Sequence, residues 1–192
     1  MSRRLLYFPL LILLLCSCST GVSVATSGAQ AVYDHQNWQR KIQDYYISQQ
    51  AYEKIYKDTD RYKEMHVSVA AYHSDVLLTG EVTSESARLQ IYQIVKKIPE
   101  VQETYNHLTL AAPSSTLIRA SDGWITAKVK AKLMAMNDIN PEAIKVVTEN
   151  GTVYLMGIVT PDQADIAFDI AGSTDGVQTV VKHFYYMRIT RT

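Results

Sequence analysis

Five histidines, two cysteines and thirteen tyrosines are the side chains through which this 192-residue chain could do chemistry. His35, His66, His73, His107 and His183 form no His-x3-His pair, and none stands beside a glutamate in the spacing a zinc hydrolase needs. His107 and His183 occupy equivalent places in an internal repeat, where common ancestry and a surface position account for them without a metal. Asp162, Asp165 and Asp169 recur at helical spacing, the pattern of a solvated helix face rather than of a paired acid and base. Tyr52 and Tyr56 are i,i+4 neighbours, which suits packing along a helix better than a ligand platform. The sequence has no Gly-x-Ser-x-Gly elbow and no P-loop. It therefore reads as non-enzymatic, with no cofactor and no metal.

The positive signal is a tryptophan. In "SDGWITAKVKAKLMAMND", Ile125, Val129, Leu133 and Met136 share one face of a helical wheel. Trp124 lies roughly 135° from the centre of that face at 100° per residue. On its side fall Ala127, Ala131, Met134 and Ala135, with Lys128, Lys130 and Lys132 interspersed. Tryptophan carries an apolar body and one polar N–H, which suits a membrane interface. Lysines beside it can meet phosphate head groups, each worth about 1 kcal/mol near an anionic surface. The same exposure also suits packing against another part of the chain. Over residues 122–187 five Lys face eight Asp or Glu, so attraction to anionic lipid must be local to this helix.

The N-terminus suggests why a membrane would be near. "MSRRLLYFPLLILLLCSCST" has a basic start, about a dozen apolar residues and then small ones, the order of a secretory signal peptide. The apolar run is shorter than the roughly 20 residues of a membrane-spanning helix. It ends in Leu15-Cys16-Ser17-Cys18, which resembles the bacterial lipobox. That resemblance implies cleavage before Cys18 and lipidation of its thiol. Ser19, where an aspartate would imply retention in the inner membrane, implies sorting to the outer membrane. Cys16 then leaves with the signal, so no free thiol and no disulfide remain. Loss of Arg3 and Arg4 leaves 17 basic against 19 acidic residues, and this near neutrality argues against nucleic acid as a partner.

The elements that position these residues come as a repeat. "VLLTGEVTSESARLQIYQI" from Val76 and "VYLMGIVTPDQADIAFDIA" from Val153 align at an offset of 77. Upstream, Ile47, Ala51 and Ile55 match Ile125, Val129 and Leu133 at an offset of 78. Each copy predicts a helix (about 38–58, then about 123–136), a strand ("HVSVAAY", "AIKVVTE"), a turn, a second strand, a second helix and a last strand. Asn150-Gly151 is a strong hairpin signal in the second copy, and the first copy lacks it. Thr160, Pro161 and Gln163 form a capping box, while Thr83 is the matching cap in the first copy. Gly80 and Gly157, inside strands, mark a bulge or a close approach of helix and strand. The fold class is α+β: two tandem αββαβ units, each a three-stranded sheet with two helices on one face. The expected limits are a signal peptide over 1–17, a lipidated flexible tether over 18–36, a first domain over 37–112, a Pro- and Ser-bearing linker over 113–121 and a second domain over 122–190.

The αββαβ order, the Val-x-Leu-x-Gly-x-Val-Thr strand and the "DGWITAKVKAKL" and "VVTENGTVYLMGIVT" segments resemble the BON domain. Two copies behind a lipobox are similar to the dual-BON outer-membrane lipoproteins of the DolP family. The resemblance implies a lipid-anchored, non-enzymatic protein that faces the periplasm and supports envelope integrity. It also implies that the second domain binds an anionic phospholipid surface through its first helix. The matching positions here are Trp124, Lys128, Ala131, Met134 and Ala135. A second class of partner, outer-membrane assembly proteins, corresponds to the alternative of a periplasmic interaction or stress-chaperone module. In that reading Trp124 and exposed sheet faces meet polypeptide.

Overall fold

The computed structural model describes residues 28–57 and 64–187, with side chains from residue 37 onward. The signal peptide expected over 1–17 and the lipidation site Cys18 lie outside these residues. The first repeat comprises α1 (Gly28–Ile55), β1 (His66–Tyr72), β2 (Asp75–Val82), α2 (Glu85–Lys96), β3 (Thr104–Asn106) and β4 (Thr109–Leu110). The second comprises α3 (Thr116–Met134), a 3-10 turn (Pro141–Ala143), β5 (Ile144–Glu149), β6 (Thr152–Val159), α4 (Pro161–Gly172) and β7 (Thr179–Tyr186). This is the αββαβ order twice. β1 pairs antiparallel with β2, and β5 with β6. The last strand of each repeat returns over a helix and pairs parallel with the middle strand. In the first repeat that strand is broken into β3 and β4, both against β2.

The two hairpin turns have one geometry despite different residues. Asn150 and Gly151 have φ of +47° and +71°, and His73 and Ser74 have +51° and +70°. Both are two-residue turns with positive φ at each central position, the form that matches strand twist. The absence of Asn-Gly in the first copy therefore leaves the turn type unchanged. The glycine signals resolve as close approach between backbones. A Cβ on Gly80 would stand 2.1 Å from the carbonyl oxygen of His66, and one on Gly157 would stand 2.5 Å from that of Ala143.

Four expectations are corrected. α1 starts at Gly28, so residues 28–36 are helical rather than flexible tether. α3 starts at Thr116, capped by the Ser115 hydroxyl, so most of the expected 113–121 linker is helix. Asp122-Gly123 lies in the middle of that helix. The cap of α2 is Ser84, whose hydroxyl accepts from the Ala87 N–H at 3.2 Å, not Thr83. Met136 lies past the end of α3, so it does not join the core face of Ile125, Val129 and Leu133. The Thr160–Gln163 capping box forms as read, with Thr160 accepting at 3.3 Å and Gln163 accepting back at 3.1 Å.

The described residues from 37 onward belong to one compact unit. Within it each repeat has its own core. Ile47, Ala51 and Ile55 of α1 pack with Val76, Leu78, Ile91 and Val95; Ile125, Val129 and Leu133 of α3 pack with Val153, Leu155, Ala164 and Ala167. Alternation along the middle strands sends the intervening residues to the other face of each sheet. There Leu77, Tyr154 and Met156 form a third buried cluster with Ala70, Tyr72, Tyr105, Val147 and Val181. The two sheets therefore pack against each other, helices outward, and the sheet faces expected to be open are covered.

Polar contacts cross the same boundary. Tyr72 donates to the Ala143 carbonyl at 2.8 Å, Thr79 donates to Glu149 at 3.3 Å, and Asn150 donates to Glu81. His107 and His183 meet Nε2 to Nε2 at 2.9 Å, partly buried, rather than lying on the surface.

Candidate functional site

Helix α3 carries the candidate site, and its inner face explains why the outer one is free. Ile125, Val129 and Leu133 are buried one turn apart, which fixes the rotation of the helix about its axis. Asp122, 5% exposed, adds a polar lock. Its two carboxylate oxygens accept from the backbone N–H groups of Asn150 and Gly151, each at 2.9 Å. Hydrogen bonds to an ionised acceptor are the stronger class. Thr126 reaches Thr148 at 2.7 Å on the same strand.

With that face spent, Trp124 is 67% exposed. It belongs to none of the buried clusters. Ala127, Ala131 and Ala135 are exposed beside it, as is Met134 at 68%. The early start of α3 extends the stripe with Leu117 (79% exposed) and Ala120. From Leu117 to Met134 the stripe runs about 26 Å at 1.5 Å per residue. The sequence reading missed Leu117 and Ala120 because they fell in the stretch taken as linker. Their seven- and four-residue spacing from Trp124 was the signal that could have found them.

The lysines divide. Lys128 donates to the Asp175 carbonyl, and Lys132 donates to the Ser173 carbonyl at 3.2 Å. Those carbonyls lie at and just past the C-terminus of α4, the negative end of its dipole. Lys128 is half-buried, so it supports the fold as well as flanking the stripe. Lys130, on the opposite flank, is exposed. Its charge and burial together lower the pKa of the neighbouring Lys145, burial being the larger cause. The site is a shallow apolar surface with a tryptophan at its middle and cationic flanks. No helix among the described residues is long and apolar enough to cross a membrane, and no group of three or more His, Cys, Asp or Glu among them is placed to hold a metal.

A second polar cluster lies between the sheets. Glu81 and Glu149 are both buried, and His66 Nε2 stands 3.7 Å from Glu149. Burial, with the Glu81 charge second, raises the Glu149 pKa to about 7. Burial lowers the pKa of His107, and burial together with His107 lowers that of His183 to about 4. These groups lie where the two sheets meet.

Comparison with known proteins follows the repeat. Residues 44–112 and 121–186 each match the family profile described as BON domain. The chain is similar to "Outer membrane lipoprotein DolP" of Haemophilus influenzae, 35% identical over 133 residues, or 69% of each chain. It is similar to "21 kDa hemolysin" of Actinobacillus pleuropneumoniae, 30% identical over 148 residues, which cover 77% of this chain and 76% of that one. It is also similar to "Osmotically-inducible protein Y" of Escherichia coli, 32% identical over 126 residues, covering 64% and 63%.

Proposed function

This chain belongs to the BON-domain family as a dual-BON protein of the DolP kind, and from that premise we propose that it is an outer-membrane lipoprotein, anchored through Cys18 and facing the periplasm, whose second domain binds an anionic phospholipid surface. The observation that carries the reading is Trp124, 67% exposed at the centre of an apolar stripe on a helix whose other face is fully engaged. The lipobox-like Leu15–Cys18 and the similarity to the Haemophilus outer-membrane lipoprotein support the anchor and the membrane. A lipid anchor combined with a weaker surface contact matches the two-signal logic of membrane attachment. The work is binding in support of envelope integrity, with no reaction assigned. Contact with outer-membrane assembly proteins, the second class of partner, has less surface to use, because the sheet faces cover each other.

Co-sedimentation of a soluble form starting at Ser19 with phosphatidylglycerol and phosphatidylcholine vesicles tests the reading. Binding to the anionic vesicles alone, lost in Trp124→Ala, is the expected result. A folded parent that ignores both vesicles would sink it and turn the stripe toward a protein partner.

A further inference from the structure

The first repeat has an exposed aromatic surface of its own. Trp38, Tyr45 and Tyr46 are 63%, 60% and 60% exposed, and Ile42 is 38% exposed. Trp38, Ile42 and Tyr45 follow i, i+4, i+7 along α1, on the side away from Ile47, Ala51 and Ile55. Tyr46 stands at the position of Trp124: the offset of 78 that relates Ile47 to Ile125 relates this pair too. Each half thus leaves an aromatic in water two residues after the aspartate that locks its hairpin.

The surroundings suit a lipid surface. Between residues 37 and 50 the single acidic residue is Asp44, and both its oxygens are taken by the His73 and Ser74 N–H groups at 2.9 Å. Lys41 flanks the aromatic face, whereas Arg40 lies on the hairpin side of α1. Arg40 Nη1 is 3.3 Å from His73 Nδ1, and Lys41 meets Glu142 at 2.9 Å in an exposed pair. An exposed pair of that kind contributes about 0–1 kcal/mol and exchanges readily for a phosphate. Position along the chain adds a second argument. α1 begins at Gly28, ten residues after Cys18, a span of at most about 35 Å when fully extended. From Gly28 to Trp38 the helix adds about 15 Å.

We infer that the Trp38–Ile42–Tyr45–Tyr46 face of α1 is a second membrane-contacting surface, seated on the phospholipid leaflet that holds the anchor. The inference rests on the lipoprotein reading of Cys18 but not on lipid binding by Trp124. Tryptophan and tyrosine at the head-group level with a lysine beside them are the composition of an interfacial contact. The chain then meets its membrane at the acyl group and through the first domain.

The sequence holds two tryptophans, Trp38 and Trp124, so each can report alone. The lipidated chain is reconstituted in phosphatidylglycerol/phosphatidylcholine vesicles as Trp124→Phe, leaving Trp38, and as Trp38→Phe, leaving Trp124. Flotation with the vesicles establishes anchoring, and failure to float overturns the anchor and this inference together. In the floated Trp124→Phe chain, Trp38 emission is expected to move to shorter wavelength and to lose at least half its intensity to brominated lipid. Trp38 emission that stays at its water value and yields only to an aqueous quencher overturns the inference, and assigns this face to a protein partner. The Trp38→Phe chain separately reports the fate of α3. A silent Trp124 beside a responding Trp38 removes the proposed lipid site while leaving the one on α1.

Discussion

Asp44 and Asp122, 78 residues apart, do the same work: each grips the two-residue hairpin turn of its own repeat with both carboxylate oxygens, all four bonds measuring 2.9 Å. The pair ties the first helix of each unit to the tip of its hairpin. Side-chain caps of this kind satisfy turn N–H groups that face inward and have no strand partner.

Removing the Asp122 carboxylate strands two N–H groups, that of Gly151 buried and that of Asn150 part-buried. Charge-assisted bonds contribute about 1.5–3 kcal/mol each. Asp122→Ala is expected to lower unfolding free energy by about 3 kcal/mol, read from the urea midpoint. Asp44→Ala costs less, about 2 kcal/mol, because Asp44 is half-exposed. Equal stability of Asp122→Ala and parent would show that the turn holds itself.

The groups between the sheets make stability depend on pH from both sides. Glu149 has its folded pKa raised to about 7, so its contribution is present below its unfolded value near 4.5 and is lost as pH rises through 7. His183 has its folded pKa lowered to about 4, so its contribution is present above 6.5 and is lost as pH falls toward 4. Thermal midpoints are expected to peak between about pH 5 and 6.5. Glu149→Gln flattens the alkaline limb, and His183→Gln, which keeps a donor and an acceptor, flattens the acid limb. Limbs unmoved by these substitutions would place the titrating groups elsewhere.

Substitutions on the α3 stripe separate binding from folding. Trp124→Ala, Leu117→Ala and Lys130→Glu change exposed side chains, so each leaves stability within about 0.5 kcal/mol. Each is expected to weaken anionic-vesicle binding, Trp124→Ala the most, by ten-fold or more. Lys128→Glu is a poorer probe. It places a carboxylate against the carbonyls past the end of α4, and melting is expected to report that cost before any lipid is added.

The sheet-to-sheet contact predicts that neither half is at ease alone. Met156→Lys puts an ammonium among Leu77, Tyr154 and Val147. A loss of about 3 kcal/mol is expected, with the two halves unfolding in separate steps. A single cooperative transition at the parent midpoint would contradict a shared core.

Much of this was legible because it is local. The capping box at Thr160, the Asn150-Gly151 turn and the Ile125–Val129–Leu133 spacing each follow from nearest neighbours along the chain. The start of α3 was not legible. Pro113, the serines and Asp122-Gly123 have loop chemistry, and a mid-helix glycine costs about 1 kcal/mol relative to alanine. Only the tertiary task of Asp122, holding a turn 28 residues away, shows why a helix runs through it. The packing of the sheets was half visible. "VLLTGEV" is apolar at adjacent positions, which signals burial on both faces, yet the sequence does not say what covers the second face. His107 and His183 were recognised as equivalent positions, but that they touch is a property of the assembled pair.

That contact has a meaning of its own. Contacts that recur with the roles of the two copies exchanged mark an approximate two-fold axis. The relation extends outward: Tyr72 with Ala143 is answered by Glu149 with His66 at nearly the same offset. The molecule has the plan of a homodimer written into one polypeptide, its association made intramolecular and therefore independent of concentration. Dimers of identical subunits must change both copies at once. Here the copies are free to diverge, so one side of the axis can carry a tyrosine where the other carries a tryptophan.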